Sequence, residues 1–214
     1  MLAPAHFDLS VRPCRDLRRK LRRADKAGVT ISNGATLPLD AMAEVDSLWQ
    51  SSKGAARGGS MGRFCPEYLT RQRVYLAPHK GQLLGYISLH VSHGEWCLDL
   101  MRQLPDAPGG TMQKLIVCAI QDAAMCGVAG FSLACVPASA IRPPWQQKPD
   151  GLRQFKAGFA PKWHPRYAAA PGPVPLALAL CDITRTIYHP PPLASTKQTH
   201  KEDEDCEVAL HQAS

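Results

Sequence analysis

The residues best suited to chemistry lie close together. Asp99 and Arg102 stand three apart, and Gly109-Gly110-Thr111 follows within ten residues. A carboxylate ending an apolar stretch, with a guanidinium just after it, is either a local ion pair closing a strand end or a titratable pair in a site. Spacing alone leaves both open. Gly109-Gly110-Thr111 opens a helical segment whose free backbone N–H groups suit a phosphate or an oxyanion, although an ordinary helix-entry turn has the same residues. Arg153 and Lys156 sit on a short segment with Phe155 and Phe159; Lys156 is a solvated helix lysine or a contact to a polyanion. Trp163, Arg166 and Tyr167 suit packing, or a wall for a base or lipid headgroup. Arg18, Arg19, Arg22, Arg23 and Lys26 crowd one helix with Asp25 as the interior acid. Their mutual repulsion would be relieved by a phosphate-rich partner.

The charge of the whole chain agrees. Its 214 residues hold 25 Lys+Arg against 18 Asp+Glu, a formal net charge of +7. Five acids fall within 197–207, so without residues 196–214 the body stands at +10. Such a body suits nucleic acid or an anionic lipid surface, and net charge does not choose between them. At 45% hydrophobic and 20% charged, the composition excludes a disordered or fibrous chain. Gln121 and Asp122 break the apolar run Leu115–Val136, so no membrane span is expected. Met1–Leu9 lacks the basic and apolar regions of a secretory signal. The eight Cys include no CxxC pair and no zinc spacing with His, so no metal is expected. Buried, reduced thiols in a cytosolic chain are the simplest reading. The His, His164 included, are unclustered and read as surface or capping groups.

These residues need elements to position them. Arg12 to Gly28 reads as a helix with Asp16 as N-cap, a Leu17-Leu21-Ala24 stripe and Gly28 as its stop. Pro38 to Ser52 is a second helix, followed by a glycine-rich loop to Phe64. Val74–Leu76, Gln82–Val91 and Glu95–Met101 read as a three-strand meander. A Pro- and Gly-rich loop leads to a helix over Thr111–Cys126, with Thr111 as N-cap, and then to a strand over Phe131–Val136. Beyond it the chain is Pro-rich, with a short helix Gly151–Phe159 and a last apolar strand Val174–Cys181. Residues after about Pro190 read as a disordered acidic tail, giving one lobe over 1–190 and a tail over 191–214. Strand, glycine loop, helix, strand favours a parallel crossover. The fold class is therefore α/β (α+β): a mixed sheet with helices on both faces, in a single lobe.

The run Cys97-Leu98-Asp99-Leu100-Met101-Arg102, with Pro105-Asp106-Ala107-Pro108-Gly109-Gly110-Thr111-Met112, resembles the phosphatidylglycerol lysyltransferase C-terminal domain. That domain is the catalytic part of the aminoacyl-phosphatidylglycerol synthases of bacterial membranes. Three blocks agree in order: Leu17–Ala24; Trp49 to Lys53 with Ser60-Met61-Gly62-Arg63-Phe64; and Gly151–Lys156 with Phe159–Trp163 and Pro165-Arg166-Tyr167. Gln113, Ala134 and Gly158 depart from the pattern, where an acid, a glycine and a second lysine are usual.

The resemblance implies a fold like the GCN5-related acetyltransferases. It implies transfer of a lysyl or alanyl group from aminoacyl-tRNA to phosphatidylglycerol, at the inner face of the plasma membrane. An aminoacyl ester is already activated, so no cofactor is called for; the reaction needs alignment, a proton route and donors for the oxyanion. Asp99 would anchor the amino group or accept a proton, Arg102 would meet phosphate or carbonyl, and Lys156 would join them. Gly109, Gly110, Thr111, Arg153, Arg166, Lys53 and Arg63 would line the substrate site. Arg18, Arg19, Arg22, Arg23 and Lys26 would take tRNA or lipid phosphates. Family members usually carry two such lobes, so a separate first-lobe or membrane subunit is a further expected partner. Two alternatives remain: a tRNA- or anionic-lipid-binding lobe without turnover, and an acyl-CoA N-acyltransferase, which the lack of a clear Q/R-x-x-G-x-G/A run argues against.

Overall fold

The computed structural model describes residues 1–34, 36–53, 62–136 and 151–189. The basic helix α1 spans Arg15–Lys26 and follows a 3-10 turn at Arg12–Cys14. Asp16 lies inside its first turn and pairs with Arg19 at 3.2 Å, so it supports the helix as an i,i+3 partner rather than as its cap. Helix α2 covers Leu39–Lys53 and the one-turn α3 covers Pro66–Leu69. The expected meander is present as β1 (Arg73–His79), β2 (Gln82–Val91) and β3 (Glu95–Gln103), paired antiparallel in order. Helix α4 (Thr111–Met125) then carries the chain to β4 (Gly130–Ser132), which lies parallel to β3. The result is a four-strand mixed sheet in the order β1-β2-β3-β4.

Side-chain contacts assign the two faces. Tyr75 on β1 donates its hydroxyl to Asp122 of α4 at 2.8 Å. Across the ladder, Tyr75 is level with Ile87 and Met101, so these residues share the α4 face. Arg102 and its cross-strand neighbour Tyr86 lie on the other face, where Arg102 meets Asp46 and Trp49 of α2. Helices thus cover both faces, α4 on one and α2 on the other, with Tyr75, Tyr86, Ile87, Leu89 and Leu100 fully buried between them. Helix α1 packs outside α4. An added Cβ on Gly110 would fall 2.0 Å from the Lys20 carbonyl, and Gly110 has φ +106°. Both facts require glycine there.

The start of α4, the end of β4 and the last expected strand differ from the sequence expectation. Gly110, in the left-handed conformation, is the N-cap of α4, while Thr111 is its first residue and donates its hydroxyl to the Pro108 carbonyl. β4 stops at Ser132, and Ala134 turns the chain with φ 60°. Val174–Cys181 is not a strand. It belongs to helix α6, Pro173–Tyr188, which follows the short α5, Gly151–Ala157. A run alternating Leu and Ala satisfies either period, and Ala and Leu are strong helix formers. Pro173 and Pro175 fit the first turn, and the outer side of β4 is already bridged by Leu2 against Phe131. Most of α6 faces outward, with Val174, Leu178, Leu180 and Ile183 exposed. The acidic tail lies outside the described residues.

Candidate active site

The meander hairpin sets the site. Leu89 pairs with Leu98 and Ile87 with Met101, so Ser88 alone opposes both Asp99 and Leu100. This is a β-bulge, with one extra residue on β3. The Ser88 hydroxyl accepts the Leu100 N–H at 3.2 Å and closes the irregular ladder. In a regular strand, residues three apart point to opposite faces. The extra residue cancels that alternation, and Asp99, Leu100 and Arg102 all face α2.

One backbone segment touches all three. The Gly62 carbonyl accepts from Arg102 Nη2 at 2.8 Å. A Cβ on Gly62 would fall 2.6 Å from Leu100 and 2.7 Å from Asp99 Oδ1. Arg102 is 3% exposed and each of its nitrogens makes a hydrogen bond: Nε donates to Asp46, Nη1 to the Met101 carbonyl at 3.1 Å and Nη2 to Gly62, while Cζ lies 4.0 Å from the centre of the Trp49 ring. A guanidinium so enclosed orders α2, β3 and the Gly62 segment against one another. It presents no open face toward a phosphate among the described residues.

Asp99 is different. Its carboxylate is recessed, with the side chain 16% exposed, and accepts Gln72 Nε2 at 3.0 Å. His90 Nε2 stands 3.8 Å away and lies 2.8 Å from the Tyr68 hydroxyl. The Tyr68 and His90 rings meet edge to face at 5.7 Å. Burial, and then the Asp99 charge, push the Tyr68 phenol up, so it stays protonated at neutral pH. Gln72 keeps a buried carbonyl oxygen without a hydrogen-bond partner among the described residues. Three segments thus converge on one carboxylate: Tyr68 and Gln72 from α3 and the turn after it, His90 from β2, and Asp99 from the bulge.

Sequence reading missed Asp46, Tyr68, Gln72 and His90, and took the His as unclustered. The hairpin register held a signal for one of them: pairing Val91 with Trp96 across the 92–94 turn sets His90 beside Cys97 and one diagonal step from Asp99.

The other expected residues are dispersed. Lys156 is buried and donates to the Cys135 carbonyl at 3.1 Å, just beyond β4. Arg153 stacks over Trp163 at 5.1 Å, and Tyr167 and Arg166 are exposed further along the chain. Arg63 is half-buried beside Gly62, and the Lys53 side chain lies outside the described residues. Gly110 and Thr111 are buried where α4 meets α1, so their glycine serves close helix approach; Gly109 is exposed. Arg18 donates to the Leu9 and Val11 carbonyls and holds the chain entering α1. Arg19, Arg22, Arg23 and Lys26 remain on the surface of α1. That surface lies on the α4 side of the sheet, whereas Asp99 faces α2.

Known proteins share this chain's sequence and architecture. The model of the family described as phosphatidylglycerol lysyltransferase, C-terminal, matches residues 1–170. A phosphatidylglycerol lysyltransferase of Bacillus subtilis (strain 168) is 26% identical over 170 residues, covering 70% of this chain and 20% of that protein. The solved C-terminal domain of a putative lysylphosphatidylglycerol synthetase from Agrobacterium fabrum is 31% identical and superposes with a TM-score of 0.75, covering 88% of this chain. The L-PGS structure from Bacillus licheniformis superposes at 0.71 with 22% identity over 87% of this chain, and so shares the fold. The chain spans 64% of each of these two solved chains.

Proposed function

The chain belongs to the phosphatidylglycerol lysyltransferase C-terminal family, and from that premise we propose that it transfers a lysyl or alanyl group from aminoacyl-tRNA to a glycerol hydroxyl of phosphatidylglycerol. The observation that carries this reading is the recessed Asp99 carboxylate, with Gln72, His90 and Tyr68 gathered around it. An aminoacyl ester brings a positively charged α-amino group, and a recessed carboxylate holds such a group in place. The ester is activated by its own bond, so the protein's task is alignment and charge stabilisation, without a cofactor. Arg102 serves by holding the Gly62 segment beside Asp99. The exposed Arg19, Arg22, Arg23 and Lys26 supply long-range attraction for tRNA or lipid phosphates.

The same reading places the chain at the inner face of the plasma membrane as a peripheral lobe. Among the described residues, no helix is long and apolar enough to cross a membrane. The solved relatives extend beyond this chain, and the exposed apolar side of α6 supports a first-lobe subunit as partner. A binding lobe without turnover is the second reading. It is favoured by the burial of Arg102 and Lys156, which turns two expected contacts inward.

The deciding experiment incubates the full chain with radiolabelled lysyl- or alanyl-tRNA and phosphatidylglycerol vesicles, then counts extracted lipid. Label in the lipid that is lost with Asp99→Asn supports the transferase. Background label in both proteins, with tRNA or vesicle binding retained, sinks it in favour of the binding lobe. Retained acetyl-CoA without an effect of tRNA would point to acyl-CoA chemistry.

A further inference from the structure

His90 and Tyr68 are the exposed members of the Asp99 cluster, and the position of His90 suits a proton transfer. We propose that His90 Nδ1 accepts the proton of the attacking lipid hydroxyl, with Asp99 and Tyr68 as positioning groups, an inference that rests on the transfer reaction above. The ring's recorded contacts all fall on Nε2: Tyr68 hydroxyl at 2.8 Å, the Gln72 amide at 3.5 Å and Asp99 Oδ2 at 3.8 Å. Nδ1 has no hydrogen-bond partner among the described residues. With the Tyr68 hydroxyl oxygen accepting the Nε2–H and the Asp99 carboxylate on the same side of the ring, the lone pair lies on Nδ1. The Gln72 amide gives its N–H to Asp99 rather than to the ring. His90 is 53% exposed against 16% for Asp99. A substrate hydroxyl therefore meets the imidazole before the carboxylate.

Side-chain chemistry gives the same assignment, because imidazole is the side chain that most often serves as a general base. Asp99 Oδ2 is also occupied by the Gln72 amide, which leaves Oδ1 for the α-amino group of the aminoacyl ester. Once Nδ1 is protonated, the carboxylate 3.8 Å from Nε2 stabilises the imidazolium, as in other carboxylate–imidazole pairs. The titratable groups facing the ring are Tyr68 from α3, and Asp99 and the cross-strand Cys97 from β3.

The step balances as follows. The lipid oxygen bonds to the ester carbonyl carbon while its proton passes to Nδ1. The tetrahedral intermediate then collapses, breaking the bond from that carbon to the tRNA ribose oxygen. The imidazolium returns the proton to that oxygen. One ester replaces another, and nothing is oxidised or reduced.

The test measures aminoacyl transfer to phosphatidylglycerol vesicles by the full chain as wild type, His90→Gln, His90→Asn and Tyr68→Phe. Circular dichroism confirms that each variant is folded. The expected result is a kcat lower by about a hundredfold or more in both His90 variants, with KM for lipid and tRNA unchanged. The rise of wild-type kcat through the imidazole range should vanish in the variants, and added imidazole should restore part of the rate. Tyr68→Phe should retain that rise. Active wild type with folded His90 variants of unchanged kcat and pH profile overturns the role of His90 and leaves the transferase standing. Wild type that neither labels lipid nor discharges aminoacyl-tRNA overturns the transferase and His90 with it.

Discussion

Asp99 and Arg102 project from the same face of β3, although they stand three positions apart. The bulge opposite Ser88 removes the alternation that would send them to opposite sides. The two then divide the work. Arg102 is enclosed by Asp46, Trp49 and the Gly62 carbonyl, while Asp99 opens toward His90. Their shared neighbour is Gly62, which contacts a structural cation and a candidate catalytic carboxylate at once.

Replacing Gly62 tests that coupling. The new Cβ of Gly62→Ala would overlap Asp99 Oδ1 and Leu100, and displacement of a reacting group by about 1 Å can cost about a hundredfold in rate. Transfer should fall by at least tenfold while urea unfolding shows a loss of no more than about 1–3 kcal/mol. Unchanged transfer would separate the Gly62 contact from the site.

Breaking the buried ion pair should act on stability first. Asp46→Ala leaves the Arg102 guanidinium uncompensated, a change that costs about 3–5 kcal/mol. Urea unfolding should show a large fall in midpoint. A loss below about 1 kcal/mol would mean that the pair is solvated in solution.

Gly110 is the second close approach. In Gly110→Ala the Cβ meets the Lys20 carbonyl, and φ +106° is strained for any L residue, a penalty of about 1–2 kcal/mol before the clash is counted. The variant should unfold earlier, with hydrogen exchange rising first in α1. Ala134→Gly is the converse: relieving φ 60° should raise stability by up to about 1 kcal/mol.

The alkaline limb of stability should depend on Tyr75 and Tyr86. Burial raises both phenols above their ordinary value, with Asp122 adding to the effect on Tyr75 and Asp46 on Tyr86. A raised folded-state pKa means that this stability is fully present below about pH 10 and is lost as pH climbs beyond it. Tyr86→Phe should flatten that loss. Because the Tyr86 hydroxyl is buried without a hydrogen-bond partner among the described residues, the variant should be at least as stable as wild type at pH 7, as measured by thermal unfolding.

Much of this protein is determined locally. The meander strands, α1, α2 and α4 follow from periodicity and turn residues, because each buries a face that its own sequence marks. The run from Cys97 to Met112 likewise marks the family. What needed the tertiary structure was which side chains meet. Asp46 and Arg102 are 56 residues apart, and Tyr68 lies 22 from His90; such pairs follow from packing, which no local pattern encodes. The bulge reversed the face of Arg102 relative to Asp99 by adding one residue to β3. α6 turned from an expected strand into a helix because Leu-Ala alternation fits both periods and Leu2 already bridges β4. The sequence named Asp99 and Arg102 together; packing enclosed Arg102 against Asp46 and Gly62 and set Asp99 beside Gln72 and His90.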